Sequence, residues 1–155
     1  LQICQHLKVS YAEGIDVVHE VTITFHGHRN VRALHRSTIE VTRDEHLTTR
    51  GDCIVGVKAD KACRDLNALI GDIIRDDGRE VRFTILVRGM EWRFTAKGCR
   101  MLTLEDDRSI VIRKSRYVCP RTLAIMSNAS AIDMPREMVK MLMDESTRGL
   151  MIIEC

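Results

Sequence analysis

The chain has 155 residues, 45% hydrophobic and 30% charged, with nine Gly and two Pro, which excludes a disordered, collagen-like or low-complexity protein. Twenty-four Lys and Arg stand against twenty-two Asp and Glu, a net charge of +2 that makes no bulk electrostatic case for nucleic acid. No run approaches the ~20 apolar residues that span a bilayer, and Leu1 to Gly14 lacks the charged-then-apolar order of a signal peptide, so the expectation is one compact cytoplasmic domain over 1–155, away from membranes.

In chain order, alternating apolar and polar residues predict strands at 16–25, 37–43 and 53–58. A helix follows at 60–76, where Leu66, Leu69, Ile70, Ile73 and Ile74 form one stripe, and then a strand at 80–88. The same order recurs with strands at 90–97, 109–114 and 121–126, a helix at 133–145 striped by Met134, Met138, Met141 and Leu142, and a strand at 149–154. At an offset of 68, Val55-Gly56-Val57 falls on Leu123-Ala124-Ile125, Asp60 on Asn128 and Asp65 on Asp133; at 70, Val41 and Arg43 fall on Val111 and Arg113. The expected fold is α+β and internally duplicated, strand-strand-strand-helix-strand twice. Its halves, about 16–88 and 89–155, would be related by a pseudo-twofold axis in a mixed sheet or barrel-like core with two helices.

Charge is distributed unevenly along this order. Residues 1–78 carry ten cations against twelve acids, residues 79–155 fourteen against ten, and no acid lies between Asp107 and Asp133. Within that gap, Arg113-Lys114-Ser115-Arg116-Tyr117-Val118-Cys119-Pro120-Arg121 combines four cations, a hydroxyl and an aromatic ring able to stack on a base. A second anion-binding pattern is Lys58-Ala59-Asp60-Lys61, running from a strand into a helix with Asp60 as N-cap; Asn128 is its counterpart in the second half.

All six histidines lie in the first 46 residues. His26 and His28, two apart in a strand, point to a divalent metal, with His35, Glu40 or Asp52 closing the set. Cys53 beside His46 and Asp52 is the pattern of a nucleophile with a base and an orienting acid. The six cysteines have no CxxC spacing, and they read as free thiols used as small apolar residues.

Several of these segments carry a family resemblance. Gly27-His28-Arg29-Asn30-Val31, Ser37-Thr38-Ile39-Glu40-Val41-Thr42, Arg50-Gly51-Asp52-Cys53-Ile54-Val55-Gly56-Val57 and Ala59-Asp60-Lys61-Ala62 resemble the signature of an uncharacterised archaeal family, domain of unknown function 371. Ile112-Arg113-Lys114-Ser115, Cys119-Pro120-Arg121-Thr122-Leu123 and Asp133-Met134-Pro135-Arg136-Glu137 are similar to its later blocks. Arg29 stands where the family has Pro, and Ser127-Asn128-Ala129-Ser130 leaves the second half without a counterpart of Lys61. The resemblance implies an archaeal cytosolic protein and supplies no activity.

The leading functional expectation is a groove between the halves that binds a phosphate-bearing ligand, RNA or a nucleotide. Arg50, Lys61, Arg113, Lys114 and Arg121 would meet phosphate, while His28, Asn30 and Asp52 orient the ligand. The alternatives are a metal-assisted hydrolase built on His26, His28 and His35, and a structural subunit of a larger assembly.

Overall fold

The computed structural model describes residues 6–10 and 16–155. Its elements are β1 (His6–Ser10), β2 (Asp16–His26), β3 (Thr38–Thr42), β4 (Ile54–Gly56), α1 (Cys63–Ile74), β5 (Glu80–Val87), β6 (Met90–Lys97), β7 (Ser109–Arg113), β8 (Thr122–Ala124), a 3₁₀ turn (Ala131–Asp133), α2 (Arg136–Leu142) and β9 (Arg148–Glu154). The protein is α+β and mostly strand: five strands form an antiparallel sheet in the order β1-β2-β9-β5-β6, and four form a mixed sheet in the order β4-β3-β7-β8. In the smaller sheet β3 and β7 run antiparallel at the centre, and each has a short parallel partner at the edge. Two isolated antiparallel bridges, His26 with Val57 and Lys97 with Ile125, join the ends of β2 and β6 to the ends of β4 and β8. Among the described residues no helix is long and apolar enough to cross a membrane.

Strand alternation decides what is buried. On β5, Val81, Phe83, Ile85 and Val87 face the core, and Phe83 stacks on Phe94 of β6 with ring centroids 5.0 Å apart. The β5–β6 hairpin closes through Arg88 and Gly89, both at positive φ (46° and 82°), the geometry that matches the twist of adjoining strands. On the smaller sheet Ile39, Val41, Ile110, Ile112 and Leu123 turn into the same core, where the α1 stripe of Leu66, Ile70 and Ile74 also sits. Core contact on one sheet face places the residues between them, Thr38, Glu40, Thr42, Ser109 and Arg113, on the other.

The helix starts differ from expectation. Helix α1 begins at Cys63 with Ala62 as N-cap, and Asp65 reaches back to accept the Ala62 N–H at 2.9 Å. Asp60 is not a cap; its carboxylate accepts the Thr24 N–H of β2 at 2.9 Å, and its own N–H donates to the Thr24 carbonyl. Asn128 likewise accepts the Thr95 N–H of β6 at 3.0 Å, while Ser130 caps the 3₁₀ turn and donates its N–H to Asp133. The side chains that look like caps are strand clasps, because each meets an edge amide that no neighbouring strand takes. The expected helix at 133–145 divides into the 3₁₀ turn and α2 at Pro135, which lacks the N–H that would continue it. Strand β1 was not among the predicted elements.

Candidate thiol and guanidinium site

The polar face of the smaller sheet carries an ionisable cluster. Glu40 projects from the middle of β3 and is only 7% exposed, because β4 and β7 flank it and Val111 lies opposite. Its Oε1 is 3.6 Å from Nη1 of Arg121, and Cys53 aims its thiol at Oε2 across 4.0 Å. Burial raises the Glu40 carboxyl above its ordinary value of 4.5, against the opposing pull of Arg121 and then Arg113. A carboxyl that holds its proton more tightly folded than unfolded costs stability as pH rises from the unfolded pKa through the folded one. Glu40→Gln is therefore expected to gain in melting temperature over the wild type between about pH 4 and about pH 8. Thermal melts at both pH values check this, and an equal difference at both contradicts it.

Beside this pair, Cys119-Pro120-Arg121-Thr122 forms a turn into β8. The Thr122 N–H donates to the Cys119 carbonyl at 2.9 Å. The Thr122 hydroxyl accepts from the Cys119 N–H at 3.1 Å and from Nε of Arg113 at 2.9 Å, and its proton points to the Cys119 sulfur at 3.6 Å. Arg113 completes the contact by donating from Nη2 to the same sulfur at 3.3 Å, with its guanidinium 5.0 Å from the centroid of the Tyr117 ring. Burial pushes the Cys119 thiol up, but the Thr122 hydroxyl, the Arg121 backbone N–H and the Arg113 guanidinium outweigh it and hold the thiol below its ordinary 9.0.

Cys53 has the opposite environment. Burial, with the Glu40 charge second, pushes its thiol up to about 11. This setting favours the protonated thiol, and Glu40, in place of the expected His46 and Asp52, is its hydrogen-bond partner. The five described cysteines are all free; Cys63 and Cys155 are buried, and Cys4 lies outside the described residues.

Of the residues expected to hold a ligand, Arg113 and Arg121 meet in this cluster. Lys114, next on the chain, makes an exposed ion pair with Asp133 at 3.5 Å. Arg50 is exposed in the loop before β4, where the Asp52 carbonyl accepts the Leu34 and His35 amides. Lys61 is tied elsewhere, donating to the Thr22 carbonyl at 2.7 Å and pairing with Asp60 at 3.0 Å. His28 and Asn30 brace a loop: Nδ1 of His28 accepts the Asn30 N–H, and Nδ2 of Asn30 donates to the Leu47 carbonyl at 2.7 Å. His28 also lines a cavity of about 290 Å³ with Arg29, Glu45, His46, Lys58 and Glu145.

The three candidate metal ligands do not gather. Nδ1 of His35 accepts the Ser37 and Thr38 amides and Nδ1 of His28 the Asn30 amide, so both Nδ1 atoms are engaged by backbone. His26 ends β2, and the extended alternation that would align it with His28 stops at Gly27. Among the described residues no three His, Cys, Asp or Glu side chains form a metal-holding group. Cys119 and Thr122 join the cluster although spacing alone did not pair them; the available signal was a thiol and a hydroxyl three residues apart around a Pro turn.

Comparison with known proteins bears on the same segments. A protein of Methanocaldococcus jannaschii described as "Uncharacterized protein MJ0206" is 40% identical over 123 residues, covering 79% of this chain and 90% of the relative. A family model described as "Domain of unknown function (DUF371)" matches residues 23–155, which include the whole smaller sheet, both helices and the cluster around Cys119. The chain belongs to this family of unknown function, DUF371.

Proposed function

We propose that the chain is a cytoplasmic domain that binds a phosphate-bearing ligand, RNA or a nucleotide, on the polar face of the smaller sheet, with Arg113 and Arg121 as phosphate contacts. The observation that carries this reading is the fixation of Arg113: Nε rests on Thr122 and the plane on Tyr117, so a guanidinium stands ready without loss of side-chain freedom on binding. Arg121 is 55% exposed beside its partner, and Lys114, Arg116 and Tyr117 are exposed next to it. Tyr117 offers a ring for a base while the guanidinium takes phosphate.

We further propose that the chain is one domain made of two copies of a single unit, closed like a barrel. The bonds Thr24–Asp60 and Thr95–Asn128, the bridges His26–Val57 and Lys97–Ile125, and the caps Ala62–Asp65 and Ser130–Asp133 support this reading. They recur at spacings of 68 and 71, the second one residue longer than the offset of 70 drawn from the sequence. The groove between copies is then the face on which Glu40 of the first meets Arg121 of the second.

The test is titration of a labelled single-stranded RNA of about ten nucleotides, a length within the span of a small binding surface, at several salt concentrations. Arg113→Ala combined with Arg121→Ala is expected to weaken binding at least tenfold at low salt. The slope of log affinity against log salt should fall by about 1.4, roughly 0.7 for each lost contact to a single strand. Unchanged affinity and slope overturn the proposal.

A further inference from the structure

We propose that Cys119 is a reactive thiolate that small hydroperoxides oxidise to the sulfenic acid, at a centre made by Arg113, Thr122 and the turn Cys119-Pro120-Arg121-Thr122. Cys119 is half-buried and thus within reach of a small oxidant, and two side chains donate to its sulfur: Nη2 of Arg113 at 3.3 Å and the Thr122 hydroxyl at 3.6 Å. Donors of this kind favour a negative sulfur, and thiolate is the nucleophilic form.

Three of the other described thiols lie in settings that favour the protonated form or shield the sulfur, and the fourth, Cys99, has one backbone N–H donor and no guanidinium or hydroxyl beside it. Cys63 is buried and donates its S–H to the Arg121 carbonyl at 3.3 Å. Cys53 faces the Glu40 carboxylate, a like charge for a thiolate. Cys155 is buried, and the Cys99 sulfur accepts the Met101 N–H. Reactivity is therefore concentrated at one sulfur by its neighbours, since Cys53, Cys99 and Cys119 are all half-buried.

In the reaction the Cys119 sulfur attacks one peroxide oxygen, a sulfur–oxygen bond forms and the oxygen–oxygen bond breaks. Sulfur is oxidised by two electrons, and the departing hydroxide, or alkoxide from an organic hydroperoxide, takes a proton from solvent to leave as water or the alcohol. Arg113 and the Thr122 hydroxyl stabilise the thiolate before attack and can donate to the peroxide oxygens during it. A low-molecular-weight thiol condenses with the sulfenic acid, releasing water and forming a mixed disulfide, and a second such thiol frees the Cys119 thiol and leaves as the small disulfide. Where the phosphate-binding reading also holds, an anion at Arg113 competes with the sulfur for the guanidinium's charge and slows oxidation.

The experiment treats the full chain with one equivalent of hydrogen peroxide in phosphate-free buffer, traps sulfenic acid with a cyclic 1,3-diketone and maps the adduct by peptide mass. In parallel, iodoacetamide alkylation of each cysteine is followed against pH. The expected result is an adduct at Cys119, absent in Cys119→Ser, with Cys119 alkylated at least about tenfold faster than Cys99 at neutral pH. Arg113→Gln should move the Cys119 alkylation midpoint to higher pH, a shift that exposure alone does not produce. An adduct spread evenly over the half-buried cysteines, or a wild-type Cys119 midpoint equal to that of the unfolded chain in denaturant, overturns the proposal. Repeating the alkylation with inorganic phosphate separates the two readings: fast Cys119 without protection removes the anion site and leaves the thiolate standing.

Discussion

Alanine in place of Gly56 is expected to lower the free energy of unfolding by about 3 kcal/mol, the upper end for an overpacked core. A Cβ built on Gly56 would lie 2.1 Å from Cδ2 of Phe25 and 2.7 Å from its Cγ. The ring has no room to withdraw. Phe25 is fully buried, and the same Cδ2–Cε2 edge also meets Gly149, whose own Cβ would press on Cε2 and Cζ. One aromatic side chain of β2 thus fills the space left by two glycines, one on β4 and one on β9, and locks the larger sheet to the smaller. Denaturant unfolding measures the loss. Adding Phe25→Leu to Gly56→Ala should recover part of it, because the smaller side chain vacates the contested volume, and the two changes will fall short of additivity. Strict additivity would show that the clash is relieved by backbone movement instead.

Arg136→Ala is expected to cost about 2 kcal/mol, more than a typical surface change. The guanidinium donates from Nε to the Met134 carbonyl at 3.1 Å and from Nη2 to the carbonyls of Ala33, Ala131 and Ile132 at 2.9, 3.1 and 3.1 Å. Nη1 reaches the Arg32 carbonyl at 3.4 Å. A single cation therefore ties the loop after Asn30 to the 3₁₀ turn before α2, across a sequence separation of 103 residues at Ala33. Ala33 sits at a φ of 49°, a conformation that its side chain disfavours and that this network helps to hold. Arg136→Lys has one donor group where five N–H bonds were arranged in a plane, so it should recover less than half of the loss. Thermal unfolding of the two variants checks this, and full rescue by lysine would mean that charge alone matters.

The strands were legible in the sequence because each buries one face, so β5 and β6 follow the expected boundaries to within a residue. Helix starts were not, since Asp60 and Asn128 have the identity and position of caps, and only the three-dimensional approach of Thr24 and Thr95 diverts them. The basic segment around Arg113 was visible as a charge asymmetry. Its chemistry was not, because the contact of Arg113 with Cys119 and Thr122 depends on the parallel pairing of β7 with β8. The burial of Glu40 was equally hidden: a lone acid in an alternating strand reads as a solvent-facing position, whereas Glu40 is enclosed between β4 and β7 with Arg121 and Cys53 against its carboxylate. The histidine pattern suggested a metal because strand alternation was carried past Gly27, where the backbone instead turns to hydrogen-bond with Thr147 and His28 with Leu142.

The proposed binding of a phosphate-bearing ligand on the polar face of the smaller sheet is tested most directly by titration of uniformly ¹⁵N-labelled protein with a nucleoside 5′-monophosphate, followed by amide chemical shifts. The expected result is a saturable perturbation centred on Arg113, Tyr117, Cys119, Arg121 and Thr122 that is lost in Arg113→Ala. Perturbation centred instead on Gly27, His28 and Lys58, or no saturable change in either region, would contradict it.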